Sequence, residues 1–372
     1  MTGSLHNKTV WVMAKGYTPD EGGMQTYARS VAESYAARGA LVVVFTQTSA
    51  GPRDADIGPV RVIDIGPGKS PAILFKFLRA MRYLLKREGK PDFIHATTWR
   101  TSVPPMLLGV PYVTTFHGRE FMYPSGLAFA VMRRVARKAD RVIAVSHYSA
   151  DQLARRLDGA IIPVVAWNGI TRGLNENYVM ATRERIPLVL SLCRLEPRKN
   201  IAAAIEAAAV CHDRGLPFHY VICGRGPEEQ ALADLIKRQN LEQRVTLAGF
   251  VEQRRAEQLY RDADIFIHPQ ITADEGRDFE GFGIAIADAM LSGCAVIVGK
   301  DGGSAELVRD EDSGLVVDGH SPAEVSQALA LLLSDPDMRE RIGKSGAMRA
   351  STLFRWDRHV EIVMGEVPGD EL

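Results

Sequence analysis

Residues 278–298 read DFEGFGIAIADAMLSGCAVIV, and this segment carries the strongest fold signal in the chain. A glycine-rich turn leads into a helical apolar pattern at Ile284–Leu291, and Gly293 precedes the short apolar run Ala295–Val298. Helical spacing of apolar residues indicates a buried helix, and a continuous apolar run bounded by turn residues indicates a strand buried on both faces. The segment therefore predicts one helix–strand repeat of an α/β domain.

Outward from this segment, short apolar runs alternate with stretches of helical periodicity along the whole chain. Such alternation predicts parallel sheets covered on both faces, and two series in succession predict two doubly wound domains. The predicted strands of the first half are Val10–Met13, Leu41–Phe45, Val60–Ile65, Phe93–His95, Tyr112–Phe116, Val142–Val145 and Ile161–Val165. Those of the second half are Leu188–Leu192, Tyr220–Cys223, Val245–Leu247, Ile265–His268, Ala295–Val298 and Leu315–Val317.

The boundary between the domains is predicted after Ile161–Val165, where WNGITRGLNENY interrupts the periodicity. We place the hinge near Asn168–Gly169, so that the first domain covers 1–168 and the second 169–355. A last helix, at about Trp356–Met364, has no strand after it.

The composition is that of a globular protein, with 46% hydrophobic and 24% charged residues, and its zero net charge gives no indication of nucleic-acid binding. Residues 1–170 contain 22 Lys and Arg against 12 Asp and Glu, whereas the remainder contain 23 against 33. This asymmetry predicts that the first half faces an anionic partner. The alternative is that the charged side chains simply lie on solvated helix faces.

Four cysteines without a C-x-x-C pair, and the lack of a signal-peptide pattern or a membrane-spanning run, predict a cytoplasmic protein.

The strongest functional motif surrounds the same glycine-rich turn. Glu280 is a loop carboxylate that can accept hydrogen bonds from sugar hydroxyls, and Asp288, farther along the helix, can reach a ribose. The free amides at the start of that helix can bind phosphate. The alternative is that both carboxylates are solvated surface groups. The turn supplies the donor-binding candidates Gly281, Phe282, Gly283 and Ile284.

A second motif, CRLEPRKN at 193–200, follows the first predicted strand of the second domain. Ligands bind at the carboxyl ends of parallel strands, and two cations there, Arg194 and Lys199, can clamp a diphosphate from both sides. We expect Arg198 to point to solvent. The alternative is a solvated basic turn.

Weaker candidates lie at other strand ends. Glycines at a strand-to-helix turn let a ligand approach the backbone. The backbone after a strand can border the base of a nucleotide. A histidine at the end of a strand can face a cleft. The alternative for each is an ordinary turn or core residue, which the glycine pair or a lone histidine by itself would favour, and we predict that His95 is structural. The candidates are Gly22, Gly23, Gly224, Phe250, Val251 and His117.

Taken together, the motifs resemble the family 4 retaining glycosyltransferases along essentially the whole chain. In order they are GGMQTYA, TFHG, ADRVIAVS, NGI, RLEPRKN, CGRGPEE, GFV, the EGFG-to-SGCAV block, GGSAELV and RWD. The resemblance implies the GT-B fold, with two doubly wound Rossmann-like parallel-sheet domains facing a central cleft. The first domain, joined by the C-terminal helix at about 356–372, would bind the acceptor, and the second the nucleotide sugar.

The resemblance also implies a role for each candidate. Gly23 would contact the donor diphosphate, Arg194 and Lys199 would neutralise it, and Glu280 would bind the transferred sugar with the amides of Phe282 and Gly283. His117 would contact that sugar near the reaction centre, and Phe250 and Val251 would border the base. The family pattern of two glutamates reads here Glu280 to Asp288, so the ribose contact falls to a shorter side chain.

The activity implied is transfer of a hexose or N-acetylhexosamine from a UDP- or GDP-linked donor to a glycan, glycolipid or small-molecule acceptor. The implied mechanism is front-side displacement without a metal or cofactor, and the sequence shows no metal-ligand cluster. Three alternatives share the fold: a nucleotide-sugar epimerase, a phosphorylase and a non-catalytic partner subunit.

A basic amphipathic segment, KSPAILFKFLRAMRYLLKR at 69–87, and a second basic stretch at Arg133–Lys138 supply much of the positive charge of the first half. Basic helices with aromatic residues bind anionic membrane surfaces, which predicts peripheral attachment at the inner face of the membrane as an additional hypothesis. The alternative is that the apolar stripe packs on the sheet and the cations are solvated.

Overall fold

The computed structural model describes residues 5–171 and 186–371, except the side chain of Ser70. The chain divides into two compact units, the first comprising Met1–Thr171 and Arg355–Leu372 and the second Arg172–Phe354. Each is an α/β unit built on one sheet.

The first unit begins with β1 (Thr9–Met13), α1 (Gly23–Ala37), β2 (Leu41–Thr46), β3 (Arg53–Ile57), β4 (Val60–Asp64) and α2 (Ser70–Arg87). It continues with β5 (Phe93–Ala96), α3 (Val103–Leu108), β6 (Val113–Phe116), α4 (Arg119–Met122), α5 (Gly126–Lys138), β7 (Arg141–Ala144), α6 (His147–Arg156) and β8 (Val164–Val165). The strand order is β3-β4-β2-β1-β5-β6-β7-β8. All pairs are parallel except β3 with β4.

The second unit contains β9 (Leu188–Leu192), α7 (Ile201–Asp213), β10 (His219–Cys223), α8 (Glu229–Arg238), β11 (Val245–Gly249), α9 (Gln253–Asp262) and β12 (Ile265–His268). It ends with α10 (Ile284–Leu291), β13 (Ala295–Gly299), β14 (Leu315–Val317), α11 (Pro322–Ser334) and α12 (Pro336–Leu353). Its strands pair in parallel in the order β11-β10-β9-β12-β13-β14.

The last helix, α13 (Trp356–Met364), belongs to the first unit and packs against α1. The carboxylate of Asp370 accepts a hydrogen bond from the backbone N–H of Trp167 at 2.8 Å, and it pairs with Arg358 at 2.7 Å. These contacts join the end of the chain to the end of the first sheet.

The prediction of two α/β units with parallel sheets is confirmed, and so is the return of the last helix to the first unit. Buried apolar runs form the strand centres, as in β13, whose five residues are all buried. The antiparallel edge strand β3 was missed, because RDADI is polar and its central residues are exposed. Among the described helices, none has the length and hydrophobicity needed to cross a bilayer.

Candidate active site

The order of the second sheet identifies where a ligand can bind. From β9 the chain first proceeds to β10 and β11 on one side and then crosses to β12, β13 and β14 on the other. The loops after β9 and β12 therefore diverge, and such a topological switch point leaves a crevice at the carboxyl ends of the strands. Lys199 follows β9, and His268 is the last residue of β12.

Glu280 and Lys199 form an ion pair at this switch point, between Nζ of the lysine and Oε2 of the glutamate. Both side chains are mostly buried, with 11% of the lysine side chain and 15% of the glutamate side chain exposed. Burial alone would raise the pKa of Glu280, but the nearby cations Lys199 and Arg198 outweigh it and lower the pKa to about 2. Glu280 is thus a buried carboxylate that stays ionised, and the alternative of a solvated surface group is wrong.

Arg198 does not point to solvent, contrary to our expectation. Only 16% of its side chain is exposed, and its guanidinium pairs with Glu196 and lies 3.6 Å from Asp278 and 3.9 Å from Glu280. Three carboxylates around one site favour a buried cation with several donors, which a guanidinium supplies. The sequence pattern could not show this, because two of the three carboxylates lie about 80 residues further along the chain.

Arg194 occupies a different environment from Lys199. Its side chain is 73% exposed and contacts Glu196 at 3.3 Å. The structure therefore places Lys199 and Arg198, rather than Lys199 and Arg194, beside Glu280. Arg194 remains free to approach a ligand from the solvent side of the turn.

His268 was not among our sequence candidates, although its position as the last residue of a buried strand could have indicated it. Its side chain is buried, and neither ring nitrogen has a hydrogen-bond partner among the described residues. Burial and the charge of Lys199 lower its pKa to about 3, so the ring is neutral at pH 7. A neutral imidazole can donate from one nitrogen and accept at the other.

The loop after Glu280 brings backbone amides to the same region. Gly283 adopts φ 94°, a left-handed conformation that favours glycine, and α10 starts immediately after it at Ile284. The carbonyl of Glu280 accepts a hydrogen bond from the N–H of Gly303 at 2.8 Å, which fixes this loop against the next one. The first amides of α10 have no partner within the helix and favour an anion.

Neighbouring candidates are divided between core and surface. Phe282 is buried edge-on against Phe354, so only its backbone is available to a ligand, and Gly281 is half-buried. Asp288 is buried within α10, which excludes the alternative of a solvated helix residue. Phe250 is 51% exposed and does not fill the core, and Val251 is half-buried.

Gly224 has a packing reason of its own. It adopts φ 137°, and a Cβ atom there would lie 1.7 Å from the carbonyl oxygen of Cys193. Its N–H donates to the carbonyl of Gly249 at 2.7 Å. A glycine is therefore required for the ends of β9, β10 and β11 to approach one another, whether or not a ligand binds there.

In the first unit, Gly22 and Gly23 lie where the chain passes from the β1–α1 loop into α1, beside the switch point of that sheet between β1 and β5. Gly22 precedes the helix with φ 145°, and Gly23 is its first residue. A Cβ at Gly23 would meet no atom within 4 Å, so the backbone is open to a ligand on this side.

His117 follows β6, and a buried polar network supports it. Its Nε2 donates to the carbonyl of Thr97 at 2.8 Å. The ring of Tyr27 packs edge-on against it with centroids 4.5 Å apart. The Tyr27 hydroxyl in turn bonds three side chains: His95 at 3.3 Å, Thr115 at 3.0 Å and His359 at 2.8 Å.

The network explains the structural role predicted for His95, which is fully buried. Burial lowers the pKa of His95, and it lowers the pKa of His359 to about 4. Nδ1 of His359 donates to the carbonyl of Trp167 at 2.9 Å, so its Nε2 accepts from Tyr27. Helix α13 thereby contributes a side chain to the packing behind His117, which sequence patterns did not indicate.

The described residues contain no group of three or more His, Cys, Asp or Glu side chains arranged to hold a metal ion. The four cysteines are free thiols, three of them buried and Cys193 half-buried.

Comparison with known proteins gives a consistent result for both units. The family model described as glycosyltransferase family 4 matches residues 21–171, and the one described as glycosyl transferases group 1 matches residues 179–349. A GDP-mannose-dependent alpha-(1-6)-phosphatidylinositol monomannoside mannosyltransferase of Mycobacterium tuberculosis is 29% identical over 298 residues, 74% of this chain and 76% of that protein. A D-inositol 3-phosphate glycosyltransferase of Xylanimonas cellulosilytica is 28% identical over 91% of this chain and 90% of that protein.

Among solved structures, Anabaena HepE in complex with UDP superimposes with a TM-score of 0.74 at 21% identity, covering 97% of this chain and 100% of HepE. This similarity concerns the fold, which is GT-B. The two family models together account for most of the chain, and the two relatives described above are named a mannosyltransferase and a glycosyltransferase. The chain therefore belongs to the family 4 glycosyltransferases of the GT-B fold.

Proposed function

We propose that this glycosyltransferase moves a hexose or N-acetylhexosamine from a nucleoside diphosphate sugar to its acceptor with retention of anomeric configuration and without a metal ion. The observation that carries the proposal is the buried, ionised Glu280 paired with Lys199 beside the first amides of α10. A carboxylate can bind sugar hydroxyls, while an ammonium and free amides can bind the adjoining diphosphate. These are the two halves of a nucleotide-sugar donor.

In the proposed reaction, the bond between the anomeric carbon and the diphosphate oxygen breaks, and the acceptor oxygen bonds to that carbon on the same face. The acceptor proton passes to the departing phosphate oxygen. Negative charge develops on that phosphate, and the cation of Lys199 and the amides at the start of α10 would stabilise it. Arg194, exposed near the same turn, would add a second positive charge.

GDP-mannose is the first donor to test, because the mannosyltransferase relative is named as dependent on it. UDP sugars come second, because HepE, which has the same fold, was solved with UDP. Asp288 would bind the ribose in either case. In the first unit, Gly22, Gly23 and His117 remain candidates for contacts to the donor.

For the acceptor we propose a lipid-linked molecule presented at an anionic membrane. In the first unit, α3 packs against both α2 and α5, and these three helices contain no Asp or Glu. Helix α2 has an inner side with the buried residues Phe77, Met81 and Leu84. Its residues Phe75 and Tyr83 are 64% and 55% exposed. Exposed Leu107 and Leu127 extend the apolar surface to α3 and α5. The exposed cations are Arg79, Arg82, Lys86, Arg87, Arg134, Arg137 and Lys138.

The distribution of apolar side chains on α2 supports the membrane proposal over the alternative that its apolar stripe only packs on the sheet. One set of apolar side chains packs inward, while a different set shares the outer surface with the cations. Each cation near an anionic surface contributes roughly 1 kcal/mol, so a subset of them suffices for reversible, salt-sensitive attachment. The proposed partner of this surface is an anionic lipid bilayer.

The donor assignment is tested by incubating the protein with GDP-mannose, UDP-glucose and UDP-N-acetylglucosamine, with EDTA present, and measuring release of the nucleoside diphosphate and sugar-labelled product. Retention is read from the anomeric coupling constant of the product by NMR. Conversion of a nucleotide sugar without any acceptor would instead indicate an epimerase. A requirement for added Mg²⁺ or Mn²⁺ would refute the metal-free mechanism.

The membrane assignment is tested by co-sedimentation with phosphatidylglycerol vesicles at 20 and 500 mM salt. We expect binding at low salt that falls for Arg79→Glu and for Phe75→Ser. Lys237→Glu, an equivalent charge reversal on an exposed position of α8, serves as the matched control and should bind normally. Lack of binding at low salt would favour a soluble acceptor.

A further inference from the structure

Arg198 has more carboxylate neighbours within 4 Å than Arg194 or Lys199. Its guanidinium pairs with Glu196, and it also approaches Asp278 and Glu280 within 4 Å. Its carbonyl accepts a hydrogen bond from the N–H of Ile271 at 2.9 Å, so its backbone is fixed as well. The next residue, Asn200, has φ 53° and donates through its side-chain amide to two carbonyls, which secures the turn.

The single ammonium group of Lys199 has two possible partners, the carboxylate of Glu280 and the diphosphate of the donor. In this structure it pairs with Glu280, but in the proposed reaction it must stabilise the departing diphosphate. A lysine is a point charge on a flexible stem and can change partner, whereas a guanidinium held by several carboxylates is fixed. When the lysine turns to the diphosphate, Glu280 needs another positive charge.

We propose that Arg198 is a positioning residue, which remains with Glu280 when Lys199 turns to the diphosphate and keeps the carboxylate ionised and directed at the sugar hydroxyls. This inference rests on the proposed function of the site. It assigns to Arg198 no contact with substrate.

The charges around Glu280 agree with this division of roles. Burial raises the pKa of Glu280, and the influences of Lys199, Arg198 and His268 together outweigh burial and lower it. Asp278 and Glu196 carry negative charge, which would oppose ionisation of Glu280, and the positive charge of Arg198 compensates them. Without Arg198, a donor that draws Lys199 away would leave Glu280 buried among other carboxylates, and its pKa would rise. In the protonated form one oxygen becomes an O–H donor, and the uncharged group accepts hydrogen bonds from sugar hydroxyls more weakly.

The test compares Arg198→Ala and Arg198→Lys with Arg277→Ala. Arg277 is a matched control, because it precedes Asp278 in the loop that carries Glu280 and pairs with Asp274, but with 44% of its side chain exposed. We expect Arg198→Ala to lose roughly ten- to a hundredfold in kcat, as for a misplaced reacting group, while nucleoside diphosphate affinity changes less than about twofold. Arg198→Lys should recover part of kcat, and Arg277→Ala should match the unmodified protein.

A second measurement does not depend on turnover. With ¹³C-labelled glutamate carboxyls, the signal lost in Glu280→Gln identifies Glu280, and its titration is followed with and without GDP. Bound GDP should leave the carboxylate ionised at pH 6 in the unmodified protein and in Arg198→Lys. In Arg198→Ala with GDP, the titration should move upward by at least one pH unit.

Several outcomes would overturn the proposal. If Arg198→Ala lowers GDP affinity as much as Lys199→Ala does, Arg198 binds the diphosphate directly. If Arg198→Ala and Arg277→Ala are kinetically alike, or if the Glu280 titration is unchanged, Arg198 does not act through Glu280. If the unmodified protein transfers no sugar from any donor, the proposed function fails, and the titration alone decides whether Arg198 supports Glu280.

Discussion

Replacing Lys199 by Met should destabilise the second unit by breaking its buried ion pair. Met keeps much of the apolar stem and removes the charge. The pKa of Glu280 lies at about 2 against an ordinary value of 4.5, a difference worth about 3 kcal/mol, and Lys199 is the largest of the favourable influences. Both side chains are mostly buried, so solvent screens little of this interaction. We therefore expect a loss of about 2–3 kcal/mol at pH 7, near the range for removal of one partner from a buried pair.

The loss should depend on pH in a defined direction. Because the folded-state pKa of Glu280 is lowered, its stabilising contribution is complete above about 4.5 and disappears as the pH falls toward about 2. In Lys199→Met the folded-state pKa of Glu280 returns toward 4.5 or higher. As the pH is lowered, Glu280 of the variant therefore becomes protonated at a higher pH than in the unmodified protein. The difference in unfolding free energy between the two proteins should therefore be about 1 kcal/mol smaller at pH 4 than at pH 7.

Urea unfolding followed by far-UV circular dichroism measures this difference. Tryptophan fluorescence reports the first unit separately, because the four tryptophans, Trp11, Trp99, Trp167 and Trp356, all lie there. Lys199→Met/Glu280→Gln should recover most of the stability, since it removes both charges. Lys300→Met, which breaks an exposed pair with Asp318, should leave the midpoint nearly unchanged. An unchanged midpoint for Lys199→Met at pH 7, or an equal loss in the double variant, would refute the reasoning.

Four other substitutions and one condition test the remaining assignments. Glu280→Ala should reduce sugar transfer by at least about a hundredfold while GDP affinity, measured by calorimetry, survives; a parallel loss of GDP affinity would reassign the residue. Tyr27→Phe should cost the first unit about 1–3 kcal/mol in fluorescence-detected unfolding, because the buried His359 loses its donor, and an unchanged midpoint would contradict the network. Gly224→Ala should give insoluble or strongly destabilised protein, whereas Gly23→Ala, with open space around its Cβ, should keep its melting temperature. Incubation with EDTA should leave the transfer rate unchanged, and a loss restored by added metal would refute metal-independent transfer.

The sequence determined the helix–strand organisation because local patterns record it. Helix α10 spans Ile284–Leu291 and α13 spans Trp356–Met364, as their apolar periodicity and flanking glycines or polar residues predicted. Most strands of both sheets coincide with apolar runs, since a strand covered on both faces consists mainly of apolar residues. The predicted run Ile161–Val165 forms a strand only at Val164–Val165. The edge strand β3 is largely exposed and needs no apolar residues, so the sequence contains no apolar run that would predict it.

The sequence also determined which loops contain the candidate site, because glycines, cations and carboxylates at strand ends are visible as motifs. It identified Glu280 and Lys199 but not their pairing. The prediction that Arg198 points to solvent was wrong, since the pattern of one short basic turn does not show which of its arginines is buried.

Only the tertiary structure decided which of these arginines is buried. Arg194 faces solvent and Arg198 faces inward because the loop carrying Asp278 and Glu280 returns to the turn after β9 and surrounds one guanidinium with carboxylates. The network that joins Tyr27 to His359 likewise connects residues from opposite ends of the chain. Local periodicity records how a segment meets solvent, whereas the orientation and ionisation of a polar side chain depend on charges and burial contributed by distant segments.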